Sequence, residues 1–175
     1  MEKNLNITAI IQARTASTRL PNKVLKKINK KTVLEIIYLR LKKSKLLSDI
    51  IFAIPDNKHE KKLKDFLKTK NYKFFAGSTN NVLDRYYKCA KKYKSNIIVR
   101  ITGDCPLIDA KLVDDSITRF KKSKVDILTN NNPPTYPDGL DVSVFNFKSL
   151  FLAWKNAKTN FDKEHVVPFM LKNNE

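Results

Sequence analysis

Apolar residues along the chain fall into two alternating kinds of run. Ile7 to Ile11, Ile50 to Ile54 and Ile97 to Ile101 are short apolar runs without polar alternation. Such runs suit strands buried on both faces of a sheet. Tyr72 to Phe75, Val125 to Leu128 and Asp141 to Phe145 read as further strands. Between the strands, apolar residues recur at helical spacing. The stripes are Val33, Ile37 and Leu41; Leu63, Phe66 and Leu67; Val82, Leu83, Tyr86, Ala90 and Tyr93. Later stripes are Leu112, Val113, Ile117 and Phe120, and then Phe147, Leu150, Phe151 and Trp154. Thr32-Val33-Leu34-Glu35 has the form of a capping box, and Asn57 with Glu60 caps the second helix. In the tail, Val166, Val167, Met170 and Leu171 have helical spacing, and Pro168 must start or kink that helix. Residues 12–31 and 130–139 read as loops.

This order of strands and helices implies an α/β fold, a mainly parallel sheet with helices on both faces. No internal repeat, low-complexity linker or domain boundary interrupts residues 1–175. One domain of this length buries roughly 70% of the surface of its unfolded chain. Ligands of such sheets bind beyond the carboxyl ends of the strands. The segments after Ile11, Ile101 and Leu128 are therefore expected to hold the site.

Composition narrows the class. Hydrophobic residues make up 42% of the chain and charged residues 30%, a balance that supplies a core and argues against disorder. No apolar run approaches the ~20 residues of a membrane-spanning helix. The start of the chain lacks a secretion-signal pattern, and Cys89 and Cys105 are too few for a disulfide framework. A reduced, cytoplasmic protein is expected. The net charge is +18, from 35 Lys and Arg against 17 Asp and Glu. Lysine runs such as Lys61-Lys62 and Lys121-Lys122 read as solvated helix faces or as attraction for polyanions. Four of the six arginines, Arg14, Arg19, Arg85 and Arg100, lie in or beside the polar segments described next. That clustering favours a compact anionic ligand over a nucleic-acid surface.

Residues 10–25, IIQARTASTRLPNKVL, follow the first strand and carry Arg14, Arg19, Lys23 and three hydroxyl side chains. The segment has no glycine, and neither a P-loop nor a dinucleotide fingerprint is present. It suits either a phosphate cradle built from cations and hydroxyls or a solvated basic loop. Residues 100–109, RITGDCPLID, place Thr102-Gly103-Asp104 at the end of a strand. Asp104 there suits Mg2+ shared with substrate phosphates, or a simple turn, while Asp109 reads as a helix N-cap. Residues 133–145, PPTYPDGLDVSVF, contain Asp138 in a turn and Asp141 at the start of a strand. Glu164 and His165 precede the last apolar stretch.

Together and in this order, these segments resemble the CTP-dependent sugar cytidylyltransferases, in particular the branch linked to spore-coat polysaccharide biosynthesis. They are more loosely similar to acylneuraminate and 3-deoxy-manno-octulosonate cytidylyltransferases. The carrying residues are IIQARTASTRLPNKVL, GS…NVLDRYY at 77–87, VRITGDCPLID at 99–109, and NNNPPTYPDGLDVSVF with the later EHV at 164–166. The resemblance implies a nucleotide-diphospho-sugar-transferase-like three-layer α/β/α sandwich. It implies transfer of CMP from CTP to a sugar or sugar acid for surface polysaccharide, with release of pyrophosphate. Arg14, Ser17, Arg19 and Lys23 would then cradle the triphosphate, with Arg85, Thr102 and Gly103 near the nucleotide. Asp104 would ligate Mg2+, and Arg14, Lys23 and Asp104 would be catalytic. Asp138, Asp141, Glu164 and His165 would face the sugar, and a homodimer is an option.

Two departures accompany the resemblance. Better-known relatives carry Gln where this chain has Thr102, which bears on base selectivity. Family members also commonly continue to an Asp-containing segment resembling VDTPEDL, which this sequence does not contain. The single domain is thus expected to lack the C-terminal end of the family fold; either it is a shortened product, or a partner or another carboxylate, Asp138 or Asp141, substitutes in the metal site. The alternatives are a truncated or inactive nucleotide-binding relative and, more remotely, a basic nucleic-acid-binding domain.

Overall fold

A computed structural model describes residues 5–17 and 20–172. Its strands and helices are β1 (Ile7–Gln12), β2 (Lys27–Ile28), β3 (Lys31–Thr32), α1 (Val33–Leu41), β4 (Asp49–Pro55), α2 (Lys61–Thr69), β5 (Phe74–Gly77) and α3 (Val82–Lys92). They continue with β6 (Ile97–Thr102), α4 (Ala110–Lys122), β7 (Ile127–Thr129), β8 (Ser143–Asn146), α5 (Phe147–Asn156), α6 (Asn160–His165) and α7 (Pro168–Lys172). The main sheet runs β5-β4-β1-β6-β8-β7. Neighbours from β5 to β6 pair parallel, and β8 runs antiparallel to both β6 and β7. The mainly parallel α/β sandwich expected from the sequence is the architecture observed.

The pleat divides the continuous apolar runs between two cores, because successive side chains leave opposite faces of a strand. Ile7, Ala9 and Ile11 of β1, with Ile97, Val99 and Ile101 of β6, pack under α1, α2 and α4. Ile10, Ile51 and Ile98 face the other way, against α3, α5 and α7. The first core holds Leu34, Ile37 and Leu41 of α1, and the second holds Leu83, Tyr86 and Leu150.

Local signals set the helix ends. Thr32 and Glu35 form the expected capping box at α1. Asn57 caps a 3-10 turn at Lys58–Glu60 that leads into α2. Asp109 caps α4 by accepting the Leu112 backbone N–H at 3.0 Å, the N-cap role read from the sequence. In the tail Pro168 starts a helix, the first of the two roles expected of it, and a separate short helix before it ends at Val166, whose φ of 72° breaks the helical path. A β-branched residue is strained at such a φ, and full burial of Val166 in the second core accompanies it.

The segment 12–31 is also more ordered than a plain loop. It contains a 3-10 turn at Lys23–Leu25 and the small β2–β3 hairpin.

Candidate functional site

The site lies where β1 and β6, the central parallel pair, reach their carboxyl ends. On the face carrying the second core, β6 reads Ile98, Arg100, Thr102, and β1 reads Thr8, Ile10, Gln12. Ile10 and Ile98 join the core, whereas Gln12, Arg100 and Thr102 place polar groups at the strand ends. Gln12 and Thr102 are register partners. The buried Tyr86 hydroxyl of α3 donates to the Ile10 carbonyl at 3.0 Å, tying α3 to the sheet below this polar patch.

Beyond β1 and β6, the two connecting segments turn over a cleft of about 310 Å3. Gly103 makes the close approach between them. Its N–H donates to the Gln12 carbonyl at 2.8 Å, and a Cβ on Gly103 would lie 2.8 Å from that same oxygen. The basic loop is fixed from beneath by Glu60, which is 1% exposed. Each of its carboxylate oxygens lies 3.0 Å from the Thr15 backbone nitrogen. The Thr15 carbonyl in turn accepts the N–H groups of Ser17 and Asn22 at 2.9 and 3.0 Å. Asn22, at a φ of 57°, opens the 3-10 turn, and Val24 inserts into the first core. These contacts orient Arg14 and Lys23 along the cleft.

Arg14 and Lys23 line one side with Gly103 and Asp104, and the Lys23 ammonium is ion-paired with the Asp104 carboxylate. Arg85 enters from α3, Arg100 from β6, and Glu164 and His165 from the end of α6. Arg85 is 2% exposed and donates to the Ser78 carbonyl at 2.8 Å. Burial, aided by the nearby Arg14 charge, pulls its guanidinium below the ordinary arginine range. Burial raises the Asp104 carboxyl, but hydrogen bonds from Lys23 and Thr102 outweigh it and hold the group below its usual value.

Among the described residues, four buried side-chain polar atoms lack a hydrogen-bond partner. Three of them, Gln12 Oε1, Arg85 Nε and Arg100 Nε, belong to residues lining this one cleft. Buried polar groups in folded proteins are nearly always paired, so unpaired ones concentrated in one cleft mark it as the candidate site.

The structure brings together most of the residues singled out in the sequence. Arg14, Lys23, Arg85, Thr102, Gly103, Asp104, Glu164 and His165 all line the cleft. Ser17 does not. It stays in the basic loop, where its hydroxyl accepts the Leu20 N–H at 3.4 Å. Arg19 lies outside the described residues. Asp138 is exposed in the loop after β7, and neither it nor Asp141 lines the cleft. The segment after Leu128 therefore contributes less to the site than the segments after Ile11 and Ile101. Asp141 nevertheless lies within electrostatic reach. Burial raises its carboxyl, the charges of Asp138 and Asp104 add to the rise, and Arg100 opposes it. Gln12 and Glu60 join the site or support it without having been singled out, and Arg100, counted among the clustered arginines, lines the cleft. Period-2 alternation back from Thr102 was the available signal for Arg100.

A sequence model of the cytidylyltransferase family matches residues 8–175. An uncharacterized protein of Methanocaldococcus jannaschii is 42% identical over 169 residues, covering 97% of this chain and 68% of that protein. A spore coat polysaccharide biosynthesis protein of Bacillus subtilis is 35% identical over 113 residues, covering 62% of this chain and 47% of that protein. The solved structure of a cytidylyltransferase from Leptospira borgpetersenii superposes with a TM-score of 0.90 at 33% identity, covering 97% of this chain and 72% of that one. The aligned regions thus span only part of each relative's length.

Proposed function

Because this chain belongs to the cytidylyltransferase family, we propose that its cleft binds CTP and transfers the cytidylyl group to a sugar or sugar acid, releasing pyrophosphate. The observation that carries this reading is the cation-lined cleft with three unpaired buried polar atoms, two of them guanidinium N–H groups. Such donors match the oxygens of a triphosphate. The Bacillus subtilis relative is named for polysaccharide biosynthesis, which supports a sugar acceptor.

In this reading, an acceptor hydroxyl oxygen bonds to the α-phosphorus while the bond from that phosphorus to the bridging oxygen of the β-phosphate breaks. The electron pair of the broken bond leaves with pyrophosphate. Negative charge grows on the departing oxygens, where fixed cations stabilise it most. Arg14 and Lys23 hold the phosphates from the loop side, and Arg85 holds them from α3. Lys23 exchanges its Asp104 partner for a phosphate oxygen when the nucleotide enters. Glu164 and His165 face the acceptor, and the Glu164 carboxylate receives the hydroxyl proton.

Among the described residues no group of three or more His, Cys, Asp or Glu side chains converges as a metal cage. Asp104 supplies one carboxylate beside the cations of the cleft, which suits Mg2+, an ion that takes one or two carboxylates and draws its other ligands from water and phosphate. Asp104 is the carboxylate that would hold it, and bound Mg2+ would supply further neutralisation of phosphate charge.

A pyrophosphate-release assay with CTP, Mg2+ and a panel of neutral and acidic sugars tests this reading. Release of pyrophosphate that requires both CTP and one acceptor class is the expected result. CTP binding without release for any acceptor reduces the chain to a nucleotide-binding relative, and absence of CTP binding overturns the reading.

A further inference from the structure

Gln12 closes β1, and its side chain leaves the sheet on the same face as that of its register partner Thr102. Both line the cleft. The Thr102 hydroxyl is engaged within its own turn, 2.9 Å from Cys105 Sγ. Gln12 Oε1 is buried and has no partner. Leaving a buried amide oxygen unpaired is costly, so a ligand that brings a donor there gains affinity.

The neighbouring chemistry limits what that donor can be. Arg14, Lys23, Arg85 and Arg100 present N–H donors only, and they suit the oxygens of an anion. Asp104 already accepts from Lys23. Gln12 Oε1 is thus a neutral acceptor on a residue of a cation-lined cleft. Such an acceptor pairs with a neutral N–H donor and repels a carbonyl oxygen.

We propose that Gln12 is a specificity-determining residue, whose side-chain oxygen accepts a hydrogen bond from the exocyclic amine of the cytosine ring and so selects CTP over UTP. The inference rests on the nucleotide reading of the cleft. Cytosine presents an amino donor at the ring position where uracil presents a carbonyl acceptor. The amine therefore satisfies Gln12 Oε1, whereas the uracil oxygen would set lone pair against lone pair.

The test is a calorimetric titration of the intact chain with CTP and with UTP, each with Mg2+, repeated for Gln12→Met and Gln12→Glu. Met keeps the length of the side chain and removes the acceptor, while Glu keeps an acceptor. The expected result is that the unaltered chain binds CTP about tenfold or more tightly than UTP. Gln12→Met should then lose about tenfold in CTP affinity with UTP changed by less than about twofold, and Gln12→Glu should retain the preference. An unchanged ratio of CTP to UTP affinity in Gln12→Met overturns the proposal, as does an unaltered chain that binds both equally. Should Gln12→Met fail to fold, loss of the CTP preference in Gln12→Glu overturns it and retention supports it. If the unaltered chain binds neither nucleotide, the nucleotide reading itself falls, a result distinct from binding without discrimination.

Discussion

Lys23 and Asp104 lie 81 positions apart in the chain and meet as an ion pair in the wall of one cleft. Their side chains are 30% and 45% exposed, so water screens the attraction and the pair contributes about 1 kcal/mol or less. A pair this weak holds two charged groups in place without locking them, and a phosphate or a cation can replace either partner. Asp104→Ala should therefore lower Tm by no more than about 4 °C while removing the Mg2+ dependence of CTP binding. Melting curves with an Mg2+ titration check both halves, and an Mg2+ response equal to that of the unaltered chain would contradict the role given to Asp104. Lys23→Ala should weaken CTP far more than cytidine, because only CTP carries phosphates.

Gly103→Ala tests the close approach of β6 to β1. The added Cβ would sit 2.8 Å from the Gln12 carbonyl oxygen, a backbone atom held in the sheet. One strand end must move, and destabilisation of about 1–3 kcal/mol is expected. The movement also displaces Asp104, so CTP affinity should fall in the same variant. Denaturant unfolding and nucleotide titration measure the two effects separately.

Glu60→Ala removes a buried carboxylate that never touches the cleft. Both its oxygens accept from the Thr15 N–H, which would be left without this partner. A loss of about 2 kcal/mol in unfolding free energy is expected. Triphosphate affinity should fall as well, because the basic loop loses its anchor. Increased hydrogen exchange confined to residues 13–25 would identify loop release as the cause.

Asp141 gives a prediction in pH. Burial, followed by the charges of Asp138 and Asp104, raises its folded-state pKa above the ordinary 3.8. The folded state thus favours the protonated form, and this contribution to stability is present at low pH and lost as pH rises through the raised value. Asp141→Asn should melt higher than the unaltered chain at pH 7. The difference should shrink as pH falls toward 3.8 and vanish below it. Asp104 has the opposite sign, since its lowered pKa adds stability above 3.8 that is lost as pH falls through the folded value.

Much of this arrangement was legible in the sequence because its causes are local. The apolar runs at Ile7, Ile50 and Ile97 and the helical stripes between them specify the sheet and both helix layers. The capping box at Thr32 and the turn at Gly103 could be read residue by residue. Glu60 could not. It was legible as part of a helix cap, but its hydrogen bonds to Thr15 depend on a tertiary meeting of segments 45 residues apart. Gln12 was hidden for a different reason. It ends an apolar strand, and the register between β1 and β6 shows that it shares the cleft face with Arg100 and Thr102. Asp138 is the converse case, since a turn-forming Asp looks the same in sequence whether it faces a site or solvent, and here it lies exposed outside the cleft lining.

A calorimetric titration of the intact chain with CTP and Mg2+, set beside the same titration of Arg100→Gln, measures most directly whether the cleft at the ends of β1 and β6 is a nucleotide site. Saturable binding of one CTP per chain, weakened about tenfold or more in Arg100→Gln with the melting temperature held, is the expected result. Absence of CTP binding, or binding with the same affinity in both proteins, would contradict it.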